Sequence, residues 1–436
     1  MVMNRAMKDS RVEWIGKVPE EWDVQRLKNI LIERKENNKP QKTDNILSLM
    51  KDRGVIPYSE KGDIGNKSKT DLTQYKLAYP GDIVLNSMNV IIGSVGLSKY
   101  FGAVSPVYYM LRPRLSKDFV EYYNFIFQTE VFQKSLIGYG NGIMEHRMRI
   151  PMNNLNNVSL PVPPSYEQKK IATFLDEKVS HIDNIIEDTK KSIENLKAYK
   201  QSLITETVTK GLDPNVEMKD SGIDWVGKIP KHWMLRKIKH LTSKIGSGKT
   251  PRGGGNIYSN EGILFLRSQN IYETGLYLEN ATYISPEIDD SMKSTRVYSN
   301  DVLLNITGGS IGRACVYPQY IETHANVNQH VCILRPIQGY THPSYLFYYL
   351  ISHVGRNYIR YYQTGGNREG LNFEQIGNFA IPSFSIHEQT KIVNYLDEKT
   401  SQVDQIVNQQ EQLVKEFESY KKSIIYEYVT GKKEVK

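Results

Sequence analysis

Glu167-Gln168-Lys169-Lys170-Ile171-Ala172-Thr173-Phe174-Leu175-Asp176-Glu177-Lys178 opens a stretch that the chain writes twice. Residues 167–209 align without a gap on residues 388–430 at an offset of 221, with 18 identities in 43 positions. Glu388-Gln389 answers Glu167-Gln168, and Leu396-Asp397-Glu398-Lys399 answers the tetrad from Leu175 to Lys178. Residues 167–208 hold neither Pro nor Gly. Leu175, Ile182, Thr189, Leu196 and Leu203 recur at sevens, with Val179, Ile186 and Ile193 on a second line between them. That is the seam of a heptad helix. The second copy keeps it with Leu396, Val403, Gln410, Phe417 and Ile424, flanked by Val407 and Val414. Gly211 and Gly431 are the expected stops. A helix of about 42 residues is a rod of about 60 Å, and its apolar seam needs a partner, for which the other copy is the nearest. An antiparallel pair would put the two intervening segments at opposite ends of the rod, related by a pseudo-twofold axis.

The duplication extends outward from the helices. Lys8-Asp9-Ser10 recurs as Lys219-Asp220-Ser221, and Trp14, Gly16, Lys17, Pro19 and Trp22 recur as Trp225, Gly227, Lys228, Pro230 and Trp233. All four tryptophans lie in these two boxes. Tyr79-Pro80-Gly81-Asp82-Ile83-Val84-Leu85-Asn86 answers Tyr298-Ser299-Asn300-Asp301-Val302-Leu303-Leu304-Asn305, and Arg112-Pro113 answers Arg335-Pro336. The repeat is too long for a solenoid unit. Each copy is a whole module of box, globular segment and long helix. The globular parts diverge far more than the helices, which suits two similar tasks on different targets. Turn-flanked β-rich runs (89–97, 103–111, 263–267, 301–307, 330–334) precede or follow helical stretches at 119–137 and 345–361, so the class is α+β. The expected organisation is a first globular domain over 1–160, a first spacer helix region over 161–211, a second globular domain over 212–381 and a second spacer helix region over 382–436.

Composition narrows the function. The 436 residues carry a net charge of +8, with 39% hydrophobic and 10% aromatic residues, enough for sizeable cores. No run approaches the roughly 20 apolar residues of a membrane span, and no apolar leader core follows Met1, so a soluble cytoplasmic chain is expected. Two cysteines, Cys315 and Cys332, exclude a disulfide framework and a cysteine-rich zinc site. The charge is uneven: residues 23–160 carry 19 Lys and Arg against 13 Asp and Glu, and residues 234–381 carry 14 against 10. The helices are balanced. Basic globular segments suit a polyanion, while balanced rods suit protein partners.

Candidate chemistries fail on inspection. Gly248-Lys249-Thr250 looks like the end of a phosphate-binding P-loop, but that pattern needs Gly where Ser243 stands, and Pro251 blocks the helix that should start there. His324 and His330 have no thiol or carboxylate set beside them, so no metal site is expected. Neither a nucleophile elbow nor the Asn/Asp-Pro-Pro-aromatic tetrad of adenine methyltransferases occurs. What remains is polar loop chemistry suited to base edges and phosphates. The candidates in the first segment are Lys67, Lys69, Asn86, Ser87, Asn89, Arg147 and Arg149. In the second they are Lys249, Thr250, Arg252, Arg267, Gln269, Asn270, Asn305, Thr307, Arg313 and Arg368.

Assembled in this order, the chain resembles the DNA-specificity subunits of type I restriction–modification enzymes over nearly its whole length. The resemblance rests on the Trp14, Gly16, Pro19 and Trp225, Gly227, Pro230 boxes and on Gly248, Thr250 and Pro251. It also rests on Pro161, Pro163, Glu167, Gln168 and Ile171, with Pro382, Glu388, Gln389 and Ile392 as their copy. The second copy departs at Ser383-Phe384, where the first has Val162-Pro163-Pro164. The resemblance implies two target-recognition domains, each binding half of a split sequence in double-stranded DNA, and antiparallel helices that fix the unread spacer. It implies two methyltransferase subunits using S-adenosylmethionine and restriction subunits using ATP with Mg, all cofactors residing on those partners and none on this non-catalytic chain. A coiled-coil adaptor for proteins and a stand-alone DNA-modifying enzyme are the alternatives. S-adenosylmethionine binding by the isolated chain marks the enzyme, and the lack of a salt-dependent affinity for DNA marks the adaptor.

Overall fold

The computed structural model describes residues 5–51, 53–63, 68, 71–140, 148–251, 257–321, 323–363 and 370–435. Its contacts divide into two units, residues 1–190 with 412–436 and residues 191–411. Each unit therefore holds one globular segment and parts of both long helices, Ser165–Lys210 and Ile386–Val429.

The two units share a four-stranded antiparallel sheet of one topology. In the first, the order is Leu31–Glu33, Tyr108–Pro113, Ile83–Asn86, Val95–Leu97. In the second it is Thr242–Ser247, Val331–Pro336, Val302–Asn305, Ala314–Val316. The repeated Tyr-x-x-Asp motif is the turn that enters the third strand of each. The Asp82 carboxylate accepts from Tyr79 N at 3.0 Å and that of Asp301 from Tyr298 N at 2.8 Å. The residue before each aspartate is left-handed, Gly81 at φ +86° and Asn300 at φ +71°, conformations that Gly and Asn adopt at the least cost. Both aspartates are 1% exposed and neutralised by a guanidinium. Arg34 does this for Asp82 from outside the repeated motif, and Arg335 does it for Asp301 from within the adjacent strand. The second unit also has a second four-stranded sheet. Ile263–Leu266 lies between Thr282–Ile284, antiparallel, and Ala325–Val327, parallel, with Arg296–Val297 on the far edge. The first unit holds the matching strands as two antiparallel pairs, Leu47–Met50 with Gly54–Pro57 and Lys76–Ala78 with Gly102–Val104, linked by a parallel bridge between Ile46 and Ala103.

The helices pair within each unit. In the first, Asp183 meets Lys421 at 2.6 Å and Lys190 meets Glu418 at 3.2 Å. In the second, Lys197 meets Glu411 at 2.9 Å and Lys200 meets Asp404 at 2.6 Å. Numbers rise on one helix as they fall on the other, so both pairings are antiparallel. Asp183–Lys421 and Asp404–Lys200 are repeat equivalents of each other, at the offset of 221. Such exposed pairs contribute at most about 1 kcal/mol each. They fix register, while the apolar seam supplies the burial. Leu175, Ile182, Ile186, Ile193, Leu396, Val403, Val407, Val414 and Ile424 are buried, and Val179, Leu196, Leu203 and Phe417 are half-buried. At its end the first helix turns a broader face inward. Ile204 and Val208 join the core of the second domain with Trp233, Tyr345 and Leu396. Its last carbonyls need donor partners, and the buried Tyr345 hydroxyl donates to Val208 O at 3.1 Å. Tyr122 does the same for Val429 O at 2.7 Å in the first unit.

Candidate nucleic-acid interface

In the second domain five strand ends meet at one edge. Ser247 pairs beside Cys332, Asn305 beside Val331, and Leu266 beside Val327. The loops leaving these strands are tied by side chains. Thr250 bonds Gln329, whose Nε2 lies 3.1 Å from His330 Nε2. His330 Nδ1 lies 2.6 Å from Thr307 Oγ1. Asn305 Nδ2 donates to Ser268 O at 2.8 Å and to Ser310 Oγ at 3.1 Å. Gly248 is necessary in this cluster, because a Cβ there would overlap the Val327 carbonyl. The sequence Gly248-Lys249-Thr250 is thus a close backbone crossing, with no phosphate cradle implied.

Around this edge Lys249, Thr250 and Gln269 are exposed, and Arg267, Thr307 and Arg313 are half-buried. Lys249 reaches Ser291 O at 3.1 Å. The Arg313 guanidinium stacks 4.8 Å from the centre of the Tyr272 ring. Arg267 lies over Tyr258, and its buried Nε has no hydrogen-bond partner among the described residues. These are donors and acceptors of the kinds that read base edges and phosphates.

Three candidates do not face outward. Asn270 is 1% exposed, taking Arg267 N on its Oδ1 and donating to Tyr277 O, which closes the 268–270 turn. Asn305 is fully buried in the loop tie described above. Ser87 is fully buried and donates to Val107 O at 2.8 Å. All three hold loops in place and offer no atom to a duplex. Lys67, Lys69, Arg147, Arg252 and Arg368 lie outside the described residues.

In the first domain the equivalent loop begins at Asn86, whose Oδ1 accepts from Met88 N at 3.0 Å, with Asn89 half-buried beyond it. Arg149 is exposed and lines a concavity of about 410 Å³ with Tyr109, Pro151, Met152 and Asn153. Beside it Lys76 donates to Tyr108 O at 2.8 Å and lies over the Tyr109 ring. Burial pushes the Lys76 ammonium below its usual range, and Glu33 pulls the other way.

Lys76 and Gln329 were not among the residues that sequence patterns single out, and His330 was weighed there only as a metal ligand. A basic or polar residue flanking a strand is too common to mark a site, and only the fold brings Gln329 and His330 between Thr250 and Thr307. Among the described residues no group of His, Cys, Asp or Glu could hold a metal, and no helix is long and apolar enough to cross a membrane.

Two copies of one α+β domain, each with a polar loop edge and a long helix, define a duplicated recognition protein. The chain belongs to the type I restriction modification DNA specificity domain family, whose model matches residues 19–195 and again residues 230–416. It is 24% identical over 430 residues to the type I restriction enzyme MjaVIII specificity subunit of Methanocaldococcus jannaschii, covering 96% of this chain and 95% of that one. Two solved structures share the fold at 14% identity. One comes from work on complex assembly and conformational transition of a type I R-M system, with a TM-score of 0.71 over 94% of this chain and 98% of that one. The other is the HsdS subunit from Thermoanaerobacter tengcongensis, with a TM-score of 0.54 over 95% and 98%. The α+β duplication with two long helices is the architecture of that family. Its members confer DNA specificity, are not themselves catalytic, and work in complexes with methyltransferase and restriction subunits.

Proposed function

We propose that each globular domain reads one half of a bipartite site in double-stranded DNA, with the paired helices setting the unread spacer and docking two methyltransferase subunits. The observation that carries this reading is the loop after the third sheet strand. It leaves the same position in both domains, from Asn86 and from Asn305, yet its sequence is Ser-Met-Asn-Val-Ile-Ile-Gly in one and Ile-Thr-Gly-Gly-Ser-Ile-Gly in the other. One scaffold presenting unlike side chains is what two half-sites of different sequence require.

Gln269 is suited to an adenine edge, and Lys249 and Thr250 to phosphates that fix register. Thr307, Arg267 and Arg313 flank them, and Asn86, Asn89 and Arg149 serve the first half-site. The adenine methyl donor, S-adenosylmethionine, belongs on the methyltransferase subunits, and ATP with Mg on restriction subunits. A cytoplasmic setting accords with two unpaired, buried thiols.

Methylome sequencing of cells with and without the gene tests the reading. A gapped adenine-methylated motif should vanish with the gene. Exchange of residues 23–160 for the matching segment of another family member should then alter one half of that motif. Alteration of both halves would refute separate reading.

A further inference from the structure

We propose that Arg313, Arg356 and Arg360 form a phosphate socket in the second domain, one that grips the sugar–phosphate backbone beside the second half-site. The three guanidinia line a concavity of about 330 Å³, with Ser310 and Glu273 also on its wall. Arg356 is paired with Glu273 at 2.6 Å. Arg313 stacks on Tyr272, which holds its guanidinium plane without neutralising it. Arg360 is exposed and makes no ion pair among the described residues. The wall thus carries three positive side chains against one negative. The floor is the Gly308–Ser310 turn, where a Cβ at Gly309 would meet nothing within 4 Å, so an oxyanion can approach the backbone. Through Ser310, which accepts from Asn305 Nδ2, the socket is coupled to the loop edge that carries Thr307.

The internal repeat supplies an independent observation. Asn86 N bonds Ser94 O as Asn305 N bonds Arg313 O, which places Ser94 opposite Arg313. Tyr122 and Tyr345 make matching bonds to helix ends, which places Gln133 opposite Arg356 and Ile137 opposite Arg360. Where the second domain has three arginines and a Gly-Gly-Ser turn, the first has Ser94, Gln133, Ile137 and a Val90–Ile92 turn packed against the Gln133 helix. The same structural position is uncharged in one copy and an open cationic pocket in the other. The first domain thus builds its sheet and helix pair with no charge at these three places; of the three arginines of the second, Arg356 also ties the helix turn by donating to Ile351 O at 3.1 Å.

A phosphate could come from a duplex or from a free small anion. The duplex assignment rests on the function proposed above. The test uses the full chain in its assembled methyltransferase complex, with a duplex carrying its methylated motif, and measures affinity against salt. Arg360→Gln should make the log–log salt slope shallower by about 0.9, the value of one lost phosphate contact. It should weaken matched and mismatched duplexes by the same factor. Arg360→Lys should restore the slope, and Ile137→Gln at the equivalent site of the first domain should leave it unchanged. At fixed ionic strength, inorganic phosphate in place of chloride should weaken wild-type binding more than that of Arg360→Gln. If the wild type binds its duplex steeply and Arg360→Gln keeps the full slope, the socket is not a duplex contact, and phosphate binding to the chain with that unchanged slope would assign the pocket to a free anion instead. If the wild type binds no duplex at all, the function reading itself fails.

Discussion

The indole Nε1 of Trp22 donates across 2.9 Å to the Glu167 carboxylate, and in the second repeat Trp233 Nε1 donates across 3.0 Å to Glu388. The glutamate opens each long helix and the tryptophan belongs to the box ahead of each globular segment. One hydrogen bond therefore anchors helix to domain, twice. The second ligand of each carboxylate differs. Arg5 pairs with Glu167, and its guanidinium is raised above its usual range mainly by that hydrogen bond. His232 lies 3.2 Å from Glu388.

Glu167→Ala should destabilise the first unit by about 1–3 kcal/mol, because it leaves a buried indole N–H without an acceptor. Glu167→Gln keeps an acceptor and should cost less. Chemical denaturation of the two variants checks this. Equal losses for Ala and Gln would show that charge pairing with Arg5 dominates the anchor, with the indole contributing little.

Gly431 is left-handed at φ +71°, and a Cβ there would overlap Pro19 and press on Trp22 at 3.0 Å. Gly211 occupies the matching place at φ +79° with Trp233 at 3.2 Å. Both alanine variants should be destabilised, Gly431→Ala the more severely, by about 1–3 kcal/mol from overpacking. Thermal unfolding of each variant measures the order, and the reverse order would contradict the contact geometry.

His342 caps the Pro343–Ile351 helix by accepting from Ser344 N at 3.2 Å. Burial lowers its pKa below the ordinary imidazole value, against an opposing pull from Asp397. The unfolded chain thus binds the proton more readily than the folded one. Stability from this group is complete above the unfolded value of about 6.5 and declines as pH falls below it. Unfolding midpoints should drop on acidification from about pH 7.5 to about pH 5.5, and His342→Asn, which caps without titrating, should flatten that part of the profile. A variant profile parallel to wild type would remove His342 as the cause.

Burial pushes the thiols of Cys315 and Cys332 up to about 12. Reactivity resides in the thiolate, so the native chain should be inert to a disulfide reagent near pH 8 and should release two equivalents once unfolded. Titration of the native protein at the unfolded rate would mean that the central sheet opens readily.

The long helices were legible because a seven-residue apolar period over four heptads admits few other structures. The exception lies at their ends. Ile204 and Val208, off the heptad line, are more deeply buried than Leu203, since there the helix faces a domain core as well as its partner. The loop candidates were only half legible. Asn, Ser and Gln hold turns and read bases with the same atoms, so composition cannot separate Asn270, which closes a turn, from Gln269, which faces solvent. The Arg34–Asp82 pair was invisible for another reason: its repeat counterpart, Arg335, sits at an unrelated sequence position.

The chain of contacts from Thr250 through Gln329 and His330 to Thr307 links three loops into one mechanical piece. An amino-acid change in any of them shifts the others, so the loops cannot be retuned one nucleotide preference at a time. New preferences should be reached in jumps, with the loop set replaced as a block on an unchanged frame.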